Sequence, residues 1–200
     1  MERDDRTPAL WLTLIYTLAL GVFAAACRLL PYYVFDPLSG DTWNLAPVGG
    51  LALFVGSRLR SRWAYLVPLG AMLVSDLLLI RPLAAMGLPS MGWGTPLIYA
   101  SFAVYVLIGR WIRPGELPPL KIGGAVLLGS VQFFLVTNFA CWPGNPRFPQ
   151  TLDGLLLCYA QGLPFYRPTL VSDLIFSCAF FGLHAALLHL VEKGKAGQPA

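Results

Sequence analysis

The chain has 200 residues, of which 56% are hydrophobic and 12% charged, about half the charged share of a soluble globular domain. The apolar residues fall in long runs, several near the roughly 18 or more that match a bilayer core, rather than in one-sided stripes. That excludes a water-soluble fold and leaves one membrane domain, residues 1–200. The net charge of +4 sits in short clusters at the ends of apolar runs. This is the loop charge that orients a membrane protein in a lipid bilayer, not a nucleic-acid-binding face.

The first run covers 8–27. Its end, Ala24-Ala25-Ala26-Cys27, resembles a cleavage or lipoprotein site. The leader Met1-Glu2-Arg3-Asp4-Asp5-Arg6 is net acidic, however, and the run is longer than a signal core, so a retained first helix is expected. Thr17, Gly21 and Ala25 recur at four-residue intervals along it, a small-residue face that lets another helix come close. Packing within the chain and docking of a partner membrane protein both fit that face.

The second segment, 45–57, has 13 residues, about 20 Å of helix against a core of roughly 30 Å. It must tilt, borrow its flanks or be broken. Further spans are expected at 63–80, 95–112, 122–139 and 169–191. An apolar stretch at 155–165 is too short to cross and is expected to lie in the interface or fold back over the bundle.

With six spans and the N-terminus inside, Arg3, Arg6, Arg58, Arg60, Arg62, Arg110, Arg113, Lys121, Lys193 and Lys195 lie on the cytoplasmic side. These are ten of the 14 basic residues, which favours both termini inside an inner, cytoplasmic membrane. A five-span arrangement gives a less biased split. The long, aromatic connections 29–44 and 140–168 then fall outside, where a ligand would be met.

Ionisable residues inside a span are costly and tend to face the bundle interior or a watery cavity. Val74-Ser75-Asp76-Leu77 in the third span recurs as Val171-Ser172-Asp173-Leu174 in the sixth, and opposite chain directions place Asp76 and Asp173 at one depth. With Asn44, Asn138, Trp142 and Tyr159 they make a candidate substrate-binding set opening outward. Pairing of the two carboxylates with Arg81 and Arg167, or helix capping, accounts for the same residues structurally. His184 and His189 lack metal-ligand spacing, so no metal site is expected. The four cysteines show no C-x-x-C. No cofactor and no nucleophile–base constellation is recognisable, so no catalytic residue is assigned.

Arg28-Leu29-Leu30-Pro31, Asn44-Leu45-Ala46-Pro47-Val48-Gly49, Leu51-Ala52-Leu53-Phe54, Ser75-Asp76-Leu77-Leu78 and Val136-Thr137-Asn138-Phe139 resemble an uncharacterised bacterial family assigned to transport. That family is similar to the substrate-binding S components of energy-coupling factor (ECF) transporters. The resemblance implies an all-α, compact six-transmembrane-helix bundle that holds a vitamin-like micronutrient, cobalamin among the candidates, for uptake from the periplasmic side. It also implies that the small-residue face of the first helix meets a membrane coupling subunit with its ATPases. Two other readings stand beside it: an intramembrane enzyme acting on a lipid or isoprenoid head group through Asp76 and Asp173, and a non-catalytic subunit of a membrane complex.

Overall fold

A computed structural model describes residues 7–34, 46–88, 90–113 and 117–196. These residues form helices and connecting turns, with no strand among them. The helices are α1 (Thr7–Tyr33), α2 (Val48–Arg58), α3 (Leu66–Ala85, entered through a 3₁₀ turn at Arg62–Tyr65), α4 (Thr95–Gly109), α5 (Pro119–Cys141) and α6 (Leu152–Ala196). Four segments are long and apolar enough to cross a membrane: Leu10–Tyr33, Arg62–Ala85, Pro119–Cys141 and Leu152–Gly194. The helices Val48–Arg58 and Thr95–Gly109 are shorter.

The packing explains the shortest helix. α1, α3, α4, α5 and α6 contact one another in that order and back to α1, and α2 contacts all five. The doubtful second segment is therefore the axis of the bundle. Every residue from Val48 to Ser57 is buried, so this helix is apolar all round, as a helix enclosed on every side must be. Glycine makes the enclosure possible. A Cβ at Gly56 would overlap the Val106 carbonyl of α4, and one at Gly109 would overlap the Leu53 carbonyl of α2. The two backbones touch at this crossing, and side chains at either position would hold them apart.

The other expectations shift at the helix ends. α1 runs on through Arg28 to Tyr33 with Pro31 inside it, which draws Arg28 into the bundle instead of an outer loop. The stretch 155–165 does not fold back over the bundle. It forms early turns of α6, one helix of 45 residues and therefore roughly 68 Å long. α6 runs antiparallel to α5, where Tyr159 donates to the Leu135 carbonyl (3.0 Å) and Cys158 to that of Asn138 (3.4 Å). It then runs antiparallel to α1, where Tyr16 donates to the Phe180 carbonyl (3.0 Å).

The helix ends are closed by local chemistry. At the end of α3, Gly87 takes φ +70, while Gly87 N–H donates to Ala84 and Leu88 N–H to Leu83. This is the paired arrangement of a Schellman cap. Prolines stand in the first turns of α4 and α5, where a missing N–H costs nothing. At the far end of α2, Arg58 donates to the Arg113 carbonyl (3.1 Å) and Arg60 to that of Arg110 (2.9 Å). Two connections thus join in one basic end with Trp63 and Trp111 exposed beside it. The outer faces of the ring carry exposed Ile15, Val22, Leu77, Leu127 and Leu183, the reverse of a soluble surface and suited to lipid.

The glycine crossing can be tested by substitution. Gly56→Ala and Gly109→Ala should each destabilise the purified protein by about 1–3 kcal/mol through overpacking. Gly124, whose Cβ would meet open space, should accept alanine with a gain of about 0.5–1 kcal/mol from helix propensity alone. Unfolding in detergent, followed by intrinsic fluorescence, reads both.

Candidate functional site

The repeated Ser-Asp pair organises the polar interior. In both copies the serine and aspartate are buried and the flanking residues exposed: Val74, Leu77, Val171 and Leu174 face outward. Both aspartates accept a hydroxyl from α4, Tyr99 to Asp76 (2.7 Å) and Tyr105 to Asp173 (2.5 Å). Both serines anchor α3 or α6 to a neighbour. Ser75 accepts from Arg28 (2.5 Å), and Ser172 donates to the Ala46 carbonyl at the entry to α2 (3.2 Å).

The copies differ in charge. Arg28 donates to the Asp76 carboxylate at 2.6 Å and to the Met72 carbonyl at 3.1 Å. Asp76 is thus paired, with Arg28 rather than the expected Arg81. Asp173 is 3% exposed and forms no ion pair with any described residue. Arg167, its expected partner, is exposed. The Asp173 carboxylate instead lies directly over Gly49, where a Cβ would strike it. Gly49 is in the first turn of α2, so the positive end of that helix's dipole meets the carboxylate.

Arg28 and Asp173 line one cavity of about 170 Å³, with Met72, Phe102, Tyr105 and Phe133 among its other walls. A second cavity of about 270 Å³ adjoins it. The two share Ile98, Phe133 and Thr169, and the second adds Asn138, Gly162 and Tyr166. The first reaches the Arg28 and Asp173 side chains, and the second lies beside it between α5 and α6 with aromatic rings on its walls.

Of the residues singled out from sequence, Asp173 and Asn138 line these cavities, and Asp76 touches them only through Arg28. Asn138 also donates to the Phe134 carbonyl (2.8 Å). Trp142 and Tyr159 do not line either cavity. The Trp142 indole donates to the Pro149 carbonyl (2.9 Å) and pins the α5–α6 turn, while Tyr159 ties α6 to α5. Asn44 lies outside the described residues. Thr17 and Gly21 are buried. The Thr17 hydroxyl bonds back to Leu14 and Thr13, and Gly21 receives Val67 of α3, 3.1 Å from where its Cβ would be. Ala25 is half-buried against the core.

Sequence reasoning missed Arg28, Tyr99 and Tyr105. The tyrosines sat in an apolar run with no acidic neighbour in sequence. Arg28 read as loop charge because the first span was ended one residue before it. Among the described residues no group of three His, Cys, Asp or Glu side chains is placed to hold a metal ion, and the four cysteines are unpaired.

The model of a family of unknown function (DUF6580) matches residues 9–194. No curated protein and no solved structure matches the chain.

The Arg28–Asp76 contact should behave as a buried pair. Asp76→Asn and Arg28→Gln should each cost about 3 kcal/mol, because each leaves the other charge buried without a partner. Tyr99→Phe should cost less, about 1.5 kcal/mol for one hydrogen bond to a charged group. The Asp76→Asn/Arg28→Gln double variant should cost clearly less than the sum of the two single variants, as a double-mutant cycle in detergent will show.

Proposed function

The chain belongs to the DUF6580 family of unknown function, and we propose that it is a membrane protein that binds a small molecule within its helix bundle for uptake. The observation that carries this reading is the pair of adjoining cavities. Sites for small molecules are concave and mostly apolar, with a few placed polar groups. Here Phe102, Phe133 and Tyr166 supply contact area, and Arg28, Asp173 and Asn138 supply orientation.

The volumes, about 170 and 270 Å³, lie below the roughly 300–1,000 Å³ of drug-sized sites. They favour a micronutrient of one or two rings over anything as large as cobalamin. In this reading the bundle sits in a bacterial inner membrane with both termini cytoplasmic. The convergence of Arg58, Arg60, Arg110 and Arg113 at the end of α2 opposite Gly49 supports that orientation. The cavities then face the periplasm. The likeness to ECF S components belongs to the same reading. Of the small-residue face offered to a coupling subunit, Thr17 is bonded within its own helix, while Gly21 and Ala25 line a shallow apolar groove between α1 and α3.

An enzyme acting through paired carboxylates is less well supported. Asp76 is neutralised by Arg28 and bonded to Tyr99, so the two aspartates do not present themselves to one reacting centre.

Native mass spectrometry of gently purified protein tests the reading. A small molecule should co-purify, and Thr169→Trp, at the junction of the cavities, should release it while the protein stays folded. No bound molecule in the parent protein, or one retained in full by Thr169→Trp, would remove the cavities from consideration.

A further inference from the structure

The two Ser-Asp pairs are built alike in all but one respect. Each carboxylate is buried, each takes a tyrosine hydroxyl from α4, and each follows a buried serine. Asp76 also has a guanidinium at 2.6 Å, and Asp173 has no cationic partner among the described residues. The segment 35–45, which lies outside the described residues, contains no Lys, Arg or His and so offers no hidden cation from that connection. A carboxylate taken out of water inside an apolar bundle is strongly disfavoured without a compensating charge. The Tyr105 hydroxyl is neutral, and the end of α2 supplies at most about half a charge.

Arg28 is committed to Asp76 and forms no ion pair with Asp173. Its Nη1 donates to Met72 and Ser75 and its Nη2 to Asp76. With Arg28 and Asp76 paired, a ligand cation that meets an ionised Asp173 completes a neutral set of four charges at the inner end of the cavity, whereas the empty cavity leaves Asp173 without a cation to hold its charge. That charge faces a space walled by Phe102, Tyr105 and Phe133, and aromatic faces also attract cations.

We infer that the ligand of this cavity carries a positively charged hydrogen-bond donor, an ammonium or a protonated ring nitrogen, which Asp173 receives in the place that Arg28 takes beside Asp76. The inference rests on the small-molecule binding reading above and specifies its substrate class: a compact organic cation with an aromatic or other flat apolar part. The Asp76–Arg28 pair keeps the neighbouring wall neutral, so the positive group is directed to Asp173 alone.

Three probes of one shape test it: benzylammonium, benzyl alcohol and benzoate, each titrated against the full-length protein in detergent with thermal stabilisation as the readout. Benzylammonium should bind tightest of the three. Asp173→Asn, which keeps shape and the Tyr105 hydrogen bond, should weaken it about tenfold or more while leaving the melting temperature of the empty protein unchanged or higher. Thr169→Trp should abolish its binding. If benzyl alcohol or benzoate binds as well as benzylammonium and Thr169→Trp removes both, the cation inference falls and the cavity reading stands. Unchanged benzylammonium binding in Asp173→Asn also overturns the inference. Absence of any binding that Thr169→Trp removes would overturn both.

Discussion

The bundle depends on how closely five helices approach α2, the eleven-residue helix that they enclose. α2 permits that approach with glycine at the contact points. Gly56 and the facing Gly109 let α2 and α4 touch backbone to backbone. Gly50 lets α6 approach, since a Cβ there would come within 2.9 Å of the Ser177 nitrogen. Gly49 leaves room for a carboxylate. Because α2 is enclosed by the other five helices, its position fixes theirs, and the relation of α4 to α6 in particular follows from the closeness with which each meets it.

That relation builds the polar interior. α4 presents Tyr99 towards α3 and Tyr105 towards α6, so a single helix satisfies one oxygen of each buried aspartate. α1 completes the first aspartate with Arg28 and leaves the second to the cavity. Pairing of buried charges commonly adds little net stability compared with an apolar replacement, while removing one partner is costly. The Arg28–Asp76 pair is therefore better understood as fixing α1 against α3, through Arg28 bonds to Met72, Ser75 and Asp76, than as a large source of stability. The cavity beside it has a wall held by the Arg28 bonds on one side and, on the other, a carboxyl with no cationic partner among the described residues.

Much of this was legible in the sequence and some of it was not, for definable reasons. Long apolar runs announced α1, α3, α5 and the last part of α6, because a helix facing lipid must be apolar over its whole length. The echo of Val74-Ser75-Asp76-Leu77 in Val171-Ser172-Asp173-Leu174 marked two equivalent burial patterns. The role of α2 was hidden, since shortness alone does not distinguish an incomplete span from an enclosed one, and its glycines gain meaning only beside Val106 and Asp173. The union of 155–165 with the last span was hidden because that stretch is too short to cross by itself, whereas α6 runs on through Pro164 and Pro168 without a break. The tyrosine partners were invisible because residues that meet across helices carry no sequence spacing. Trp142 and Tyr159, expected in the binding set, line neither cavity, and their hydrogen bonds serve the α5–α6 turn and hairpin.

In the proposed reading a small molecule occupies the adjoining cavities beside Asp173 and between α5 and α6, while the α2 axis stays closed. Cysteine accessibility on a cysteine-free background tests it most directly, with single cysteines at Thr169, in both cavities, and at Ser177, which is fully buried against α2. In intact cells a small, water-soluble, membrane-impermeant thiol reagent should modify the cysteine at 169 and leave the one at 177 untouched. Equal inertness at both positions, or reaction at 177 alone, would contradict the account.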